Sequence, residues 1–208
     1  MKRLAIIGGG GHGKVVADCA ELLGWNHIQF FDDLWPDLLM NEIWPVSGKS
    51  DSFFNRVSEF DGCVVAIGNN RVRLALSKKI IDKGFQLATL IHPSAIISRY
   101  SHISNGTVVF AGAVINPGTK IGIASIINTS ASVDHDCILG DAVHISPGAH
   151  IAGGVTIGDY SWIGIGASIK QTIHIGNEVI VGAGAAVVKN VATGKTVIGV
   201  PAVEMRSL

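Results

Sequence analysis

From Ile91 to Val187 an aliphatic residue returns at every sixth position without a miss, through Ile97, Ile103, Val109, Val133, Ile151 and Ile169. Four positions after each stands a mostly small residue, such as Ala95, Ser101, Thr107, Ala113, Ala149 or Ala167. A beat of six fits neither the 3.6-residue period of a helix nor the two-residue alternation of a hairpin meander. It is the hexapeptide pattern of a parallel β-helix. Three hexapeptides make one triangular coil of 18 residues, in which the aliphatic side chain fills the interior and the small one lets the chain turn. Stacked coils pair their backbones about 4.8 Å apart, which satisfies main-chain polar groups with few demands on side chains. Gly122, Gly140, Gly158 and Gly176 lie 18 apart, as expected if one corner recurs in every coil and favours a residue free of Cβ strain.

Residues 1–90 follow other periods. LAIIG reads as a buried strand, GGGHG as a turn, KVVADCAELLGW as an amphipathic helix and IQFFDD as a second strand, together one βαβ unit. A loop bearing Trp and Pro, a helix near 51–58, the strand CVVAIGNN and the helix RVRLALSKKIIDKG follow. The expected organisation is a small Rossmann-like α/β domain over 1–90 and a β-helix domain with a C-terminal tail over 91–208.

Composition narrows the function classes. Hydrophobic residues make up 48% and charged ones 15%, which points to much buried backbone or to surface covered by a partner. Lys+Arg and Asp+Glu balance at 16 each, so no basic field is available for nucleic acid or an anionic membrane. The apolar run in MKRLAIIGGGG is too short for a signal peptide, and no later stretch approaches a membrane span, so a cytoplasmic location is expected. Cys19, Cys63 and Cys137 show neither CxxC spacing nor even pairing, which argues for reduced thiols and against a metal framework.

Two stretches carry candidate chemistry. Gly8, Gly10 and Gly13 spell GxGxxG between a strand and a helix, with Asp32 and Asp33 at the end of the next strand. About 90 residues supply too little sheet for a dinucleotide, so a single nucleotide linked to a small group fits better than NAD; the glycines could also simply make a tight turn. Backbone N–H groups near Gly10 and Gly11 would face an anion, Asp32 or Asp33 would accept from ribose or base, and His12 would contact the group beyond the phosphates. Gly68 and Asn69 repeat the arrangement at a second strand-to-helix junction.

In the β-helix, ASVDHDCILG sets Asp134, His135 and Asp136 on a corner between the inward Val133 and Cys137. An imidazole beside a carboxylate can take a proton at neutral pH. Gly153 follows His135 by 18 residues, so a bare amide is expected one coil away, ready to hold a developing oxyanion. Base and donor on one face suit acyl transfer. Asn128 and His144 point elsewhere on a single prism, so they would help only across a subunit boundary, as in a trimer with shared sites.

GGGGHG near the start, FDD at 31–33, AIGNN at 66–70, NTSASVDHDC at 128–137 and VIGVPA at 197–202 together resemble the NeuD/PglD family of sugar acetyltransferases. The resemblance implies a left-handed β-helix after a small Rossmann-like domain, acetyl-CoA as co-substrate, no metal, and a homotrimer with intersubunit active sites. It implies acetyl transfer to the 4-amino group of a nucleotide-linked amino-deoxysugar in bacterial surface glycan synthesis. Carried over by position, His135 is the base, Asp136 supports it and Asn128 completes the catalytic set. His144, Gly153, Ile165, Gly166 and Ala183 fall along the acetyl-CoA site. Gly10, His12, Asp32, Asp33, Gly68 and Asn69 fall on the nucleotide sugar. A sialic acid O-acetyltransferase is the rival within this chemistry; an NAD-dependent oxidoreductase or a non-catalytic nucleotide-sugar-binding protein are the rivals outside it.

Overall fold

The computed structural model describes residues 1–205; residues 206–208, the end of the expected C-terminal tail, lie outside the described residues. The chain divides into two compact units, Met1–Pro93 and Ser94–Leu208.

The first unit is built on a three-stranded parallel sheet. Strand β1 (Lys2–Ile7) lies between β2 (Trp25–Phe31) and β5 (Gly62–Val65), and α1 (Gly11–Leu22) and α2 (Asn70–Asp82) follow β1 and β5. The continuous apolar run of β1 fits a strand covered on both faces. Ala5 and Ile7 join Phe31, Phe53, Cys63 and Ile80 in one buried cluster, while Leu4 and Ile6 point to the opposite face by the two-residue alternation. The loop after β2 carries a two-residue hairpin, β3 (Met40–Asn41) with β4 (Trp44–Pro45). The helix expected near 51–58 is instead two short 3-10 turns, Ser50–Asn55 and Val57–Glu59, separated where Arg56 leaves helical geometry at φ −124°. Phe53 is fully buried there and packs edge-to-face on Phe31 with ring centroids 5.6 Å apart. Anchoring that ring decides the local path over helix propensity.

The second unit is a parallel β-solenoid of about 6 turns. Two-residue strands pair with the strand 18 residues on, as in Val114–Ile115 with Ser132–Val133, and this register repeats on all three faces. The first face runs from Ile96–Ile97 through His150–Ile151 to Ala186–Val187, and the second from His102–Ile103 through Ile138–Leu139 to His174–Ile175. The third includes Ile126–Ile127, His144–Ile145, Trp162–Ile163 and Ile180–Val181. Within each strand the second residue is the inward one: Ile115, Val133, Ile145 and Ile163 are all at most 1% exposed.

Turning the corners requires one residue per hexapeptide in the left-handed region. Positive φ recurs at Gly106, Gly112, Gly118, Ala124, Ser130, Asp136 and onward in steps of six to Gly184. Gly122, Gly140, Gly158 and Gly176 are not among these, so the expected relief of backbone strain is not what selects them. Close approach is: a Cβ on Gly122 would sit 2.5 Å from the Gly140 carbonyl carbon, and those on Gly140 and Gly158 would strike the side chains of Asp159 and Asn177. Those side chains bind the preceding coil. Asp141 Oδ1 accepts from Ile123 N at 3.0 Å, Asp159 Oδ1 from Asp141 N at 2.8 Å, and Asn177 Oδ1 from Asp159 N at 2.9 Å.

Polar small residues inside the prism are equally committed. Ser161 is fully buried; its Oγ donates to Gly176 O at 2.8 Å and accepts from Val179 N at 3.0 Å. Ser161→Ala strands both partners, and the expected loss of about 1–3 kcal/mol is measurable as a lower urea midpoint for the solenoid.

Candidate active site

The corner between the first two faces presents Asp134, His135 and Asp136 to solvent. His135 Nδ1 lies 2.8 Å from Asp136 Oδ2, with 61% and 75% of the two side chains exposed, so both remain open to a ligand or a second chain. Asp136 reaches the ring because it occupies the left-handed corner position, φ 58°, which aspartate tolerates better than most residues. The hydrogen bond that Asp136 accepts from the ring, followed by the charge of Asp134, raises the His135 pKa above its ordinary value. Asp136 therefore holds Nδ1 as donor and leaves Nε2 as the basic nitrogen.

Gly153 sits directly against this ring. A Cβ there would lie 2.5 Å from His135 Nε2 and 2.6 Å from Cε1, and the glycine is buried. Its neighbours' amides are used: Ala152 N donates to Ile169 O at 3.1 Å and Gly154 N to His135 O at 2.9 Å. Gly153 N has no protein acceptor among the described residues. Cys137 is fully buried, and burial raises its thiol pKa, which makes it packing rather than a nucleophile.

Asn128 and His144 belong to a different region of the solenoid, the third face and its following corner. Asn128 Nδ2 lies 3.5 Å from His144 Nε2, and His144 stacks on Trp162, one coil on, with ring centroids 5.6 Å apart and planes within 3°. Trp162 Nε1 donates to Ser146 Oγ at 2.7 Å. These groups wall a groove of about 410 Å³ that continues over Ile165, Ile180, Gly182 and Ala183. Ile165, Ile180 and Trp162 are exposed apolar surface there. Gly166 turns the adjacent corner at φ 65°, with its N–H given to Pro147 O at 3.0 Å, so that amide is not on offer to a ligand. The structure thus gathers Asn128, His144, Ile165 and Ala183 in one place and His135, Asp136 and Gly153 in another. One face of the solenoid separates them on a single chain.

In the first unit the Gly10–Gly11 turn opens α1 with its backbone exposed and no side-chain cap on the helix. Gly13 is required by packing, since a Cβ there would strike Gly8 O. Asn41 Nδ2 donates to Gly9 O at 3.1 Å and holds the turn from the β3 side. Asp32 is half-buried and Asp33 exposed, and the carboxylates of both are already engaged by backbone amides. Asp32 accepts from Gly9 N at 2.7 Å and Leu34 N at 2.9 Å, and Asp33 Oδ1 accepts from Ser50 N at 3.0 Å. Asn69 caps α2 by accepting from Arg71 N and Val72 N, both at 3.1 Å, and Gly68 beside it meets open space. Burial, then the charge of Arg73, lowers the His12 pKa to about 4, so His12 is a neutral imidazole at neutral pH.

Arg73 escaped the sequence reading. It is 1% exposed, and it donates to Ile67 O at 2.9 Å and to Asn70 Oδ1 at 2.7 Å, which fixes the second glycine turn from within. An arginine on a helix of mixed polarity reads as solvated, so no pattern marked it. Trp162 and Asn116, by contrast, stand 18 residues from His144 and Asp134 and could have been found by coil register. Among the described residues no group of three or more His, Cys, Asp or Glu is placed to hold a metal, and no helix is long and apolar enough to cross a membrane.

Fold and site define a hexapeptide-repeat solenoid with a histidine–carboxylate corner, preceded by a glycine-turn α/β unit. Residues 3–80 match the PglD N-terminal domain. The acetyltransferase domain of PglB from Neisseria gonorrhoeae FA1090, solved with acetyl coenzyme A, is 42% identical over 98% of this chain and 99% of that one, with a TM-score of 0.94. PerB from Caulobacter crescentus, solved with CoA and GDP-perosamine, is 40% identical over 99% and 98%, with a TM-score of 0.93. UDP-N-acetylbacillosamine N-acetyltransferase of Bacillus subtilis (strain 168) is 37% identical over 113 residues, 53% of this chain and 52% of that protein; the match spans about half the length of that curated relative. The chain belongs to the NeuD/PglD family of sugar acetyltransferases.

Proposed function

We propose that the protein transfers acetyl from acetyl-CoA to the 4-amino group of a nucleotide-linked amino-deoxysugar, a step in bacterial surface glycan synthesis. The observation that carries the reading is the His135 imidazole, oriented by Asp136 at 2.8 Å and lying against Gly153, whose amide is uncommitted. His135 takes a proton from the attacking amine, the amine nitrogen bonds to the thioester carbonyl carbon, and the CoA thiolate leaves when the tetrahedral intermediate collapses. Gly153 N–H steadies the oxyanion of that intermediate. No acyl-enzyme is formed, because the one thiol near the corner is buried.

The groove beside Trp162, Ile165 and Ala183 suits an extended, mostly apolar thioester arm, with Asn128 and His144 as polar anchors. That groove and His135 lie apart on one chain, which supports a homotrimer whose sites pair the histidine corner of one subunit with the groove of the next. The exposed glycine turn at Gly10 and Gly11, neutral His12, and Gly68 suit the diphosphate of the nucleotide sugar. Asp32, Asp33 and Asn69 act mainly by shaping those turns.

Incubation with labelled acetyl-CoA and a panel of UDP-, dTDP- and GDP-linked 4-amino sugars is expected to label the sugar amine and leave denatured protein unlabelled. Transfer to a sialic acid hydroxyl instead would replace this acceptor. Binding of NADH without binding of acetyl-CoA would end the reading altogether.

A further inference from the structure

The corner that carries His135 is tied to the coil beneath it by more than the backbone ladder. Asp134 Oδ1 accepts from His135 N at 2.8 Å and from Asn116 Nδ2, one coil earlier, at 2.8 Å. Thr119 Oγ1 donates to Asp134 O at 2.6 Å and accepts from Cys137 N at 3.2 Å, while Asp136 N donates to Pro117 O at 3.0 Å. Gly118 completes the platform, because a Cβ there would strike Asp136 Oδ1 and push the carboxylate off the ring.

Coil geometry alone does not ask for the Asn116–Asp134 bridge. In the next coil Ala152 takes the register position of Asp134 and offers no side-chain bond, yet Gly154 N still donates to His135 O at 2.9 Å and that corner closes normally. The extra bridge appears where the imidazole stands.

We propose that Asp134 and Asn116 are positioning residues for the acetyl transfer: the bridge fixes the backbone from which His135 projects, and Asp134 sets a second carboxylate beside the ring. The inference rests on His135 being the base. Among the described residues the ionisable neighbours of His135 are Asp134 and Asp136 on its own corner, with the buried Cys137 thiol on the inward side, its Sγ 3.7 Å from the His135 carbonyl oxygen and its pKa raised by burial. The coil beneath presents Asn116, Pro117 and Gly118, and the coil above Ala152, Gly153 and Gly154, none of which titrates. Removing the charge of Asp134 therefore leaves Asp136 as the one carboxylate beside the ring among the described residues.

The test is steady-state kinetics across pH, following CoA release from acetyl-CoA with a UDP-linked 4-amino-deoxysugar or whichever nucleotide sugar of the panel is accepted. Asp134→Asn keeps the shape and loses the charge, so the acidic limb of kcat/KM moves to lower pH while KM for acetyl-CoA stays put. Asn116→Ala frees the corner, and kcat falls about tenfold at unchanged KM for acetyl-CoA. Both variants melt with the parent, since the backbone ladder is intact. If both keep the parental kcat and pH profile while His135→Ala is inactive, the positioning role is wrong and the base stands. Parental turnover in His135→Ala removes both.

Discussion

His135→Ala is expected to lower kcat at least about a hundredfold while the solenoid keeps its far-UV spectrum and assembly state. The side chain is largely exposed, rests on the side-chain-free Gly153, and among the described residues its ring bonds to Asp136 on its own corner, so its loss touches chemistry and not folding. The same substitution should erase the acidic limb of the pH profile. A general base works as the neutral imidazole, and the Asp136 hydrogen bond together with Asp134 raises the His135 pKa. In the parent, kcat/KM therefore climbs with pH and levels off above the ordinary imidazole range. Rate measurements from pH 5 to 9 on both proteins decide it. A profile unchanged by the substitution would move the base elsewhere.

The second large effect is expected at Gly153. Its φ lies outside the left-handed region, so alanine brings no backbone strain there. What alanine brings is a methyl group 2.5 Å from His135 Nε2, in the space that the ring fills. The imidazole must swing away, which breaks its alignment with Asp136 and with the Gly153 amide at once. Gly153→Ala is expected to cost about a hundredfold in kcat, with thermal stability close to the parent and KM for acetyl-CoA little changed. Full activity in this variant would mean that the amide above the ring has no part in the reaction. Gly140→Ala offers the contrast, since its Cβ would meet backbone and Asp159 and not the histidine, and it should lower stability before activity.

The two glycine classes show where sequence reading stops. Gly140 and Gly153 look alike in the chain, and the 18-residue interval placed each on its corner. What each one makes room for, a neighbouring Asp side chain in one case and an imidazole in the other, depends on which atoms the adjacent coil brings to that spot. The left-handed positions were equally hidden. Ala124, Ala142, Tyr160 and Glu178 hold positive φ although nothing in their chemistry asks for it, because closure of the coil imposes the conformation every six residues.

Asp32 teaches the same lesson in the first unit. Its spacing from GxGxxG marked it for a ribose, yet in the fold its carboxylate already binds the amides of Gly9 and Leu34. A residue type and an interval identify a neighbourhood; the hydrogen-bond partners within it are a matter of local path. Arg73 is the converse case, a buried cation that no periodicity could reveal, because three carbonyl and amide oxygens near Ile67, Gly68 and Asn70 had to converge before burying it became tolerable.

By itself, then, the chain determined its architecture and the corner on which its candidate base stands. A sixfold aliphatic beat can bury its inward residues only by winding into a three-sided solenoid, and that winding sets residue 135 on an outer corner. Tertiary structure decided the working detail: which Asp136 oxygen meets the ring, how closely Gly153 lies against it, and that Trp162 and His144 stack along a groove one face away. These depend on distances between coils, which are products of packing and have no counterpart in a linear pattern.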